Sequence, residues 1–363
     1  MSTVLMTGFP GFLGSALLPR ILDRRPGSTA LCVVQQHHLA TAASRLADLD
    51  AQVPGTAARV TLAAGDITSP GLGLGPADLE DALSCTEVFH LAAVYDLAVP
   101  ERVARAVNVE GTDRVLDLCR RAVDLARLHH VSTCYVSGDH PGRFGEDDLD
   151  LGQGFLNHYE ATKFESEVLV AAARADGLPV TVYRPGMVVG DSRTGQTQKF
   201  DGPYLAAEFI RRQRGIAVLP QVGPPDEVLA SLVPRDYVVE AIDVLSALPS
   251  TVGRTYALTD PEPPTARQYA EIVARHYGRR VVWVPAPLGL ARTVVGLVPG
   301  LERLLGLPAE VLDYFATRTR YDTSHAVRDL AGTGVACPRF EDYAATMLDF
   351  MAAHPEISSA AMV

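Results

Sequence analysis

The turn TGFPGFLG, residues 7–14, constrains the fold of this chain more than any other feature of its sequence. It follows a short apolar run, Thr3 to Met6, and leads into an amphipathic segment, Leu13 to Arg24. A glycine-rich turn between a strand and a helix lets the backbone approach a pyrophosphate, and the helix N-terminus supplies free N–H groups. We therefore predict a nucleotide-binding unit rather than a tight turn without a ligand. The predicted contact residues are Gly8, Phe9, Pro10, Gly11, Phe12 and Leu13.

Apolar runs of strand length alternate with longer helical patterns through the first half of the chain. The predicted strands after the first are Ala30 to Val34, Val60 to Ala64, Glu87 to Leu91, Leu128 to Ser132 and Val180 to Tyr183. The predicted helices include Leu13 to Arg24, Val103 to Ala126 and Tyr159 to Asp176. This alternation is typical of parallel strands joined by crossover helices. The predicted fold class is therefore α/β, with a doubly wound parallel sheet of the Rossmann type.

The pattern loosens after Pro185, where segments rich in Gly, Pro and polar residues are typical of loops near a site. Residues Ser231 to Leu245 are predicted to form the end of a strand followed by a helix. The chain after them is predicted to be mainly helical, with one strand, Arg280 to Val284. We predict a dinucleotide-binding domain over residues 1–190, to which residues 231–260 return. Residues 191–230 and 261–363 would form a smaller, mainly C-terminal substrate-binding region.

A candidate catalytic pair is Tyr159 and Lys163, which lie four residues apart on one face of a predicted helix. We expect the ammonium to lower the pKa of the phenol, which could then exchange a proton with a carbonyl oxygen. A hydroxyl must orient that oxygen, and Thr133 at the end of the fifth predicted strand is the candidate. Ser132 is the alternative, because strand alternation decides which side chain faces the ligand. Asn108 could support the lysine through backbone or water.

The end of the second predicted strand bears on the choice of cofactor. Residues 35–38 read Gln-Gln-His-His, so the carboxylate that would hold the adenosine ribose of NAD is missing. A 2′-phosphate would meet no repulsion there, although no arginine stands at that strand end. We therefore predict NADP(H) in preference to NAD(H), with Gln36 among the contacts. Asp66, after the third strand, is a candidate to bind the adenine amino group or, alternatively, a local turn residue.

Composition excludes several classes of function. The chain carries 32 Lys and Arg against 43 Asp and Glu, a net charge of −11, and no basic block, so no nucleic-acid partner is expected. Its five cysteines are widely spaced and form no CxxC pair. This predicts reduced, mostly buried thiols, no metal site and a cytoplasmic location.

No segment is predicted to cross a membrane, and the N-terminus lacks the features of a signal peptide. The most apolar stretch, residues 287–308, is interrupted by charges and prolines. We interpret it as a helical hairpin packed on the protein. It could instead lie on a membrane surface as a peripheral contact or cover an apolar substrate tunnel.

Seven motifs over residues 3–192 resemble those of an extended short-chain dehydrogenase/reductase. In order they are TGFPGFLG, GDIT, FHLAAVYD, NVEGT, VST, YEATK and YRPGMVVGDS. Their pattern is most similar to the male sterility type NAD-binding branch, which contains fatty acyl-CoA reductases and thioester reductases. The resemblance implies an NAD(P)-dependent oxidoreductase with catalytic Thr133 and Tyr159 and a ribose-binding Lys163. It further implies pyrophosphate contacts at Gly8, Gly11 and Gly14, adenine contacts at Asp66 and Ile67, and nicotinamide contacts at Ala92, Ala93 and Pro185.

Three functions fit these residues. Reduction of a carbonyl or acyl thioester of a lipid-like substrate, small or linked to an acyl carrier, fits an apolar C-terminal part with Tyr204, Tyr237, Trp283, Tyr314, Phe315 and Tyr321. An NAD-dependent epimerase or dehydratase, or a 3β-hydroxysteroid-type dehydrogenase, is the alternative. A diphosphate, or the phosphate of a pantetheine or CoA, could be bound by Arg184, Arg193, Lys199 and Arg235. A regulator without chemistry is disfavoured by the intact Thr, Tyr and Lys, and an oligomer is compatible with the sequence.

Overall fold

The fold is built from short strands and longer helices in a computed structural model that describes residues 3–95, 99–221, 223–286 and 318–357. The described strands are β1 (Thr3–Thr7), β2 (Thr29–Val34), β3 (Val60–Ala64), β4 (Glu87–His90), β5 (Arg127–Val131), β6 (Gly142–Phe144), β7 (Val180–Pro185), β8 (Met187–Val189), β9 (Ile216–Gln221), β10 (Leu232–Pro234), β11 (Thr255–Leu258), β12 (Arg280–Pro285) and β13 (Thr319–Tyr321). Seven of them form one parallel sheet in the order β11-β7-β5-β4-β1-β2-β3. Three parallel pairs, β10–β8, β12–β9 and β13–β6, lie outside this sheet.

Helices cover both faces of the large sheet. The described α-helices are α1 (Phe12–Arg24), α2 (Leu39–Gln52), α3 (Pro76–Leu83), α4 (Glu101–Ala104), α5 (Gly111–Arg121), α6 (His158–Ala175), α7 (Pro203–Arg212), α8 (Arg235–Ala247), α9 (Ala266–His276), α10 (Ser324–Leu330) and α11 (Phe340–Ala353). Val4 and Met6 of β1 pack with α1 and α8, whereas Leu5 packs with α5 and α6 on the other face. This alternation explains why the central strands are apolar throughout. A third core joins α7, α9, α11 and β9.

The six predicted strands are all present, and the α/β class with a doubly wound sheet is confirmed. The predicted helix Val103 to Ala126 is wrong as a single α-helix. It consists of α4, a π-helical segment over Arg105–Glu110, and α5, which ends at Arg121. The order of strands reverses between β1 and β4, and such a switch point opens a crevice at the carboxyl ends of the strands.

The cysteines are all unpaired thiols. Cys32, Cys85, Cys119 and Cys134 are buried, and Cys337 is partly buried. Burial raises the pKa of Cys32 and of Cys85 to about 12 and raises the pKa of the other three as well. These thiols are therefore protonated throughout the neutral range.

Candidate active site

The turn between β1 and α1 is shaped for close backbone approach. Gly8 has a φ of +91°, which favours glycine, and a Cβ there would lie 2.8 Å from the backbone nitrogen of Ala92. A Cβ on Gly14 would lie 2.5 Å from the carbonyl oxygen of Gly8. No described side chain caps the N-terminus of α1, so its first N–H groups remain available to an anion. The turn therefore packs on β4 and presents an uncapped helix end to the crevice.

A cavity of about 1500 Å³ joins this turn to the predicted catalytic residues. It is lined by all the predicted cofactor contacts except Gln36, namely Gly8, Phe9, Pro10, Gly11, Phe12, Leu13, Asp66, Ile67, Ala92, Ala93, Tyr159, Lys163 and Pro185. Beyond Thr133 and Tyr159 it continues to residues 196–199, the first turn of α7 and residues 228–232. Since ligand pockets usually measure about 300–1000 Å³, this cavity has room for two ligands.

The two hydroxyls after β5 have different partners, although both residues border the cavity. Ser132 donates its hydroxyl to Glu167, whose carboxylate is held by the buried Arg184 at 2.6 Å between Nη2 and Oε1. Thr133 Oγ1 instead donates to the carbonyl oxygen of Pro185 at 3.5 Å and accepts from the backbone nitrogen of Tyr135 at 3.3 Å, and it stands close enough to the phenol of Tyr159 to favour a lower pKa of Tyr159. The backbone therefore brings Thr133, rather than Ser132, to the predicted catalytic tyrosine.

The pKa values of the Tyr–Lys pair are governed by burial. Tyr159 keeps some exposure where its ring borders the cavity, yet desolvation raises the pKa of Tyr159 to about 12, against the opposing influence of the Thr133 hydroxyl. Lys163 is 3% exposed, and burial lowers the pKa of Lys163 to about 8. Its Nζ donates to the carbonyl oxygen of Val131 at 3.0 Å. Without a ligand in the cavity, the pKa of the phenol is therefore raised rather than lowered, because desolvation is the largest influence on it.

Asn108 lies in the π-helical segment and is fully buried. Its Oδ1 accepts from the backbone nitrogen of Val94 at 2.9 Å, and its Nδ2 donates to the carbonyl oxygen of Val94 at 3.0 Å and to Thr162 Oγ1 at 3.1 Å. None of these three hydrogen bonds reaches Lys163, and Asn108 does not border the cavity. The predicted support of the lysine through backbone or water stays a prediction. The side chain holds the segment after β4 against α6.

His90 continues this network toward the nucleotide turn, a role that the sequence does not reveal. The hydroxyl of Thr112 donates to the carbonyl oxygen of Asn108 at 2.6 Å, so it accepts from His90 Nε2 at 3.1 Å. His90 Nδ1 is then free to accept from the hydroxyl of Thr7, 2.7 Å away. Burial lowers the pKa of His90 to about 3, which keeps the ring neutral. Hydrogen bonds thus link the start of the turn, at Thr7, to the helix that carries Tyr159.

The adenosine end of the cavity differs from the prediction. Gln36 is exposed in a short 3₁₀ turn and does not border the cavity, because that turn directs Gln35, His37 and His38 toward it instead. The amide of Gln35 lies 3.5 Å from Asp66 Oδ2. Arg45 on α2 also lines this end and has no ion-pair partner among the described residues. It escapes prediction because it lies within α2, well beyond the end of β2 at which such a residue is sought.

Only part of the predicted substrate side borders the cavity. Lys199, Arg235 and Tyr321 line it, with Lys199 Nζ 2.8 Å from Asp201. The other predicted charged and aromatic residues are engaged elsewhere. Arg184 pairs with Glu167, Arg193 pairs with Glu240, and Tyr204, Tyr237 and Trp283 lie outside the lining. Tyr314, Phe315 and the stretch 287–308 lie outside the described residues.

The described ranges contain neither a metal centre nor a membrane span. No group of His, Cys, Asp or Glu side chains there is arranged to hold a metal ion. Among the same residues, no helix has both the length and the apolar character needed to cross a membrane.

Comparison with known sequences identifies a family for this chain and finds relatives that are several times longer than it. The sequence model of the male sterility protein family, an NAD-binding family, matches residues 6–242, more than half of the chain. The chain is 31% identical over 274 residues to the nonribosomal peptide synthetase asaC of Aspergillus flavus. That alignment covers 72% of this chain and 26% of the synthetase. The chain thus spans about a quarter of the length of such curated relatives.

Solved structures give the same architecture. The terminal R domain from the myxalamid PKS-NRPS biosynthetic pathway is 29% identical, with a TM-score of 0.83, and the match covers 98% of this chain and 91% of that domain. A thiolation-reductase di-domain from an archaeal nonribosomal peptide synthetase is 20% identical, with a TM-score of 0.74, over 98% of this chain and 76% of the di-domain. The latter likeness concerns the fold alone.

Proposed function

Because the chain belongs to the male sterility protein family, an NAD-binding oxidoreductase family of the extended short-chain dehydrogenase/reductase type, we propose that it reduces acyl thioesters of lipid-like acids with NADPH. The observation that carries this proposal is that Thr133, Tyr159 and Lys163 all line the cavity that begins at the nucleotide turn. The cavity continues beyond these residues, which leaves space for an acyl chain or a pantetheine arm. The nonribosomal peptide synthetase of Aspergillus flavus among the relatives supports a carrier-linked thioester as the substrate.

The roles of the residues follow from their positions. A bound nicotinamide cofactor would supply a hydride, and the turn with Asp66, Ala92 and Lys163 would hold it. Thr133 and Tyr159 would bind the carbonyl oxygen of the substrate. The raised pKa of Tyr159 keeps the phenol protonated near neutral pH, as a proton donor requires. One hydride and one proton convert a thioester to an aldehyde and a free thiol.

The preference for NADPH rests on the adenosine end of the cavity. Arg45 and two histidines line it, and the neighbouring residue at the strand end is the uncharged Gln35. Burial and the neighbouring His37 lower the pKa of His38, so we assign the phosphate contact to Arg45 rather than to that histidine. An arginine suits a phosphate because its planar group donates several hydrogen bonds.

The substrate would occupy the part of the cavity formed by the C-terminal half of the chain. We keep residues 191–230 and 261–363 as the substrate-binding region and residues 1–190 with 231–260 as the dinucleotide-binding domain. Lys199, Arg235 and Tyr321 supply polar groups on the substrate side. A cytoplasmic location, an oligomer and a peripheral membrane contact stay predictions from the sequence.

The test is a panel of substrates at fixed NADPH. Octanoyl-CoA and octanoyl-pantetheine should consume NADPH with release of one thiol for each aldehyde formed. UDP-glucose and a 3β-hydroxysteroid with the oxidised cofactor represent the alternative functions, and an epimerase would show no net cofactor turnover. Because burial of each methylene is worth about 0.8 kcal/mol, KM should fall as the acyl chain lengthens. Turnover of the sugar nucleotide or steroid, with none of the thioesters, would refute the proposal.

The cofactor preference has its own test. Arg45→Glu should raise the KM for NADPH about tenfold or more, because one charge-assisted hydrogen bond is lost and a repulsion is gained. The KM for NADH should be nearly unchanged, since NADH lacks the 2′-phosphate. Arg45→Lys, which keeps the charge, is the matched control and should retain most of the preference. Equal effects of Arg45→Glu on both cofactors would contradict the assignment.

A further inference from the structure

The small sheet formed by β9 and β12 has one packed face and one open face. Ala217, Leu219, Val281 and Trp283 point into the third core. The alternate residues form an apolar strip on the other face, with Val218 opposite Val282 in the pairing register. The strip consists of Ile216, Val218, Val282 and Val284, which are 54%, 46%, 45% and 46% exposed. Exposed apolar side chains in such a row are typical of an interaction site.

Arginines surround one end of this apolar strip. Residues 208–214 and 275–280 contain six arginines and one carboxylate, although the whole chain has a net charge of −11. Arg214 and Arg280 stand where the two strands begin, and neither has an ion-pair partner among the described residues. Arg279 is bonded to backbone carbonyl oxygens only, so its charge is also uncompensated. The strip therefore combines apolar contact area with a local positive field on an acidic protein.

The strip lies within reach of the substrate side of the cavity. The first turn of α7 lines the cavity, and the last residues of α7 lead directly into Arg214 and β9. Since α7 has 10 residues, its length is about 15 Å. A partner seated on the strip could thus extend a flexible arm along α7 to Thr133 and Tyr159.

We propose that the apolar strip of β9 and β12, with its arginine end, is the docking surface for the thiolation domain that carries the acyl thioester. This inference rests on the proposed function. Charge complementarity selects the occupant, because the strip fits a partner whose own apolar patch is bordered by carboxylates. The nonribosomal peptide synthetases among the relatives indicate that regions like this chain belong to assemblies of many domains. A thiolation domain is also the neighbour of the reductase in the archaeal di-domain.

The experiment compares one acyl group on two carriers. Octanoyl thioesters of a holo acyl carrier protein and of free pantetheine present the same reacting group, but only the protein can dock. The double variant Arg280→Glu/Val282→Thr should raise the KM for the carrier-linked substrate about tenfold and leave kcat unchanged. Its KM for octanoyl-pantetheine should stay within about twofold of wild type, which also shows that the variant is folded. Added salt should weaken the wild-type preference for the carrier.

A matched control changes the same residue types elsewhere. The control variant Arg120→Glu/Val123→Thr changes residues at the end of α5, where Val123 is 82% exposed. It should leave the KM values for the carrier-linked substrate and for octanoyl-pantetheine unchanged. Unaltered carrier kinetics in the strip variant would overturn the proposal. The proposal would also be overturned if the strip variant lost binding to anionic vesicles, or no longer formed a dimer, while its KM for the carrier-linked substrate stayed unchanged. If wild type reduces neither thioester, the proposed function fails, and calorimetric titration with the holo carrier still decides whether the strip binds it.

Discussion

At the level of single residues, burial favours the uncharged form of both members of the Tyr–Lys pair. The pKa of Tyr159 lies near 12 and that of Lys163 near 8, each displaced by desolvation. At pH 7 the phenol is therefore protonated while the lysine still carries its charge. This combination suits a site that donates a proton to a substrate and attracts the hydroxyls of a bound nucleotide.

Replacing the phenol tests the proton donor directly. Tyr159→Phe should lower turnover by a factor on the order of 10² or more, because general acid catalysis usually contributes that much. The affinity for NADPH, measured by calorimetry, should stay near that of wild type. Tyr277→Phe is the matched control, since Tyr277 lies outside the cavity lining and its hydroxyl donates to the carbonyl oxygen of Leu348 at 3.2 Å. Wild-type turnover in Tyr159→Phe would remove the tyrosine from the mechanism.

Lys163 should reduce the stability of the fold in the neutral range. In the unfolded chain its pKa is 10.5, against about 8 in the folded protein, so between these values the unfolded state binds more protons and stability rises with pH. We expect Lys163→Met to unfold less readily at pH 7 by about 2 kcal/mol, after allowing for the lost hydrogen bond to Val131. Urea titrations should show the difference shrinking as the pH rises from 8 to above 10. A difference independent of pH would contradict the displaced pKa.

At the level of elements, the nucleotide turn is held by the fit of Gly8 against the end of β4. Gly8→Ala introduces both a positive-φ strain and a contact of 2.8 Å with the nitrogen of Ala92. Gly177 is the control for the backbone strain alone, because its φ is also positive, at +98°, but a Cβ added there would have no atom within 4 Å. We expect Gly177→Ala to cost about 1 kcal/mol and Gly8→Ala to cost more and weaken NADPH binding. Equal losses of stability in urea would show that the fit against β4 is loose.

The elements also show what could be predicted from the sequence and what could not. The strands β1 to β5 and β7 follow from local apolar patterns. Thr133, Tyr159 and Lys163 line one cavity because α6 begins at the sheet edge where β5 ends, and Lys163 donates to Val131 there. The π-helical segment around Asn108 has no local signature, since an added residue in one turn hardly changes the apolar period. The position of Gln36 is not predictable from the strand pattern, because a single 3₁₀ turn after β2 rotates the chain. The pairing of β6 with β13 joins distant residues, which no local pattern reveals.

At the level of the whole molecule, Glu146 fastens the C-terminal part to the nucleotide-binding sheet. It is 2% exposed, and its Oε1 accepts from the backbone nitrogens of Ala257 on β11 and Ala326 on α10, at 2.9 and 3.2 Å. Its Oε2 accepts from the backbone nitrogen of His325. The adjoining β13, which pairs with β6, brings Tyr321 to the cavity wall. This carboxylate therefore helps to hold the substrate side of the site on the nucleotide-binding sheet.

Glu146→Gln should therefore disturb both stability and substrate binding. The NH2 group of the glutamine would replace one of the two accepting oxygens and would face a backbone N–H group. Two buried donors would then lack an acceptor, at a cost of about 1–3 kcal/mol. Thermal unfolding should occur at lower temperature, and KM for thioesters should rise more than KM for NADPH. Asp147→Asn changes the same chemistry at a neighbouring side chain that is 84% exposed, and it should behave as wild type. Matching melting curves for the two variants would show that Glu146 does not hold the two parts together.

The buried thiols make the proposed reaction easy to follow by colour. A disulfide reagent reacts with thiolates, and the raised pKa values of Cys32, Cys85, Cys119, Cys134 and Cys337 leave almost none in the folded protein. The thiol released from a thioester substrate could therefore be measured continuously, because the thiols of the folded enzyme would add little background signal. In urea the same reagent would count five cysteines per chain as the fold opens, so one dye would report both catalysis and unfolding.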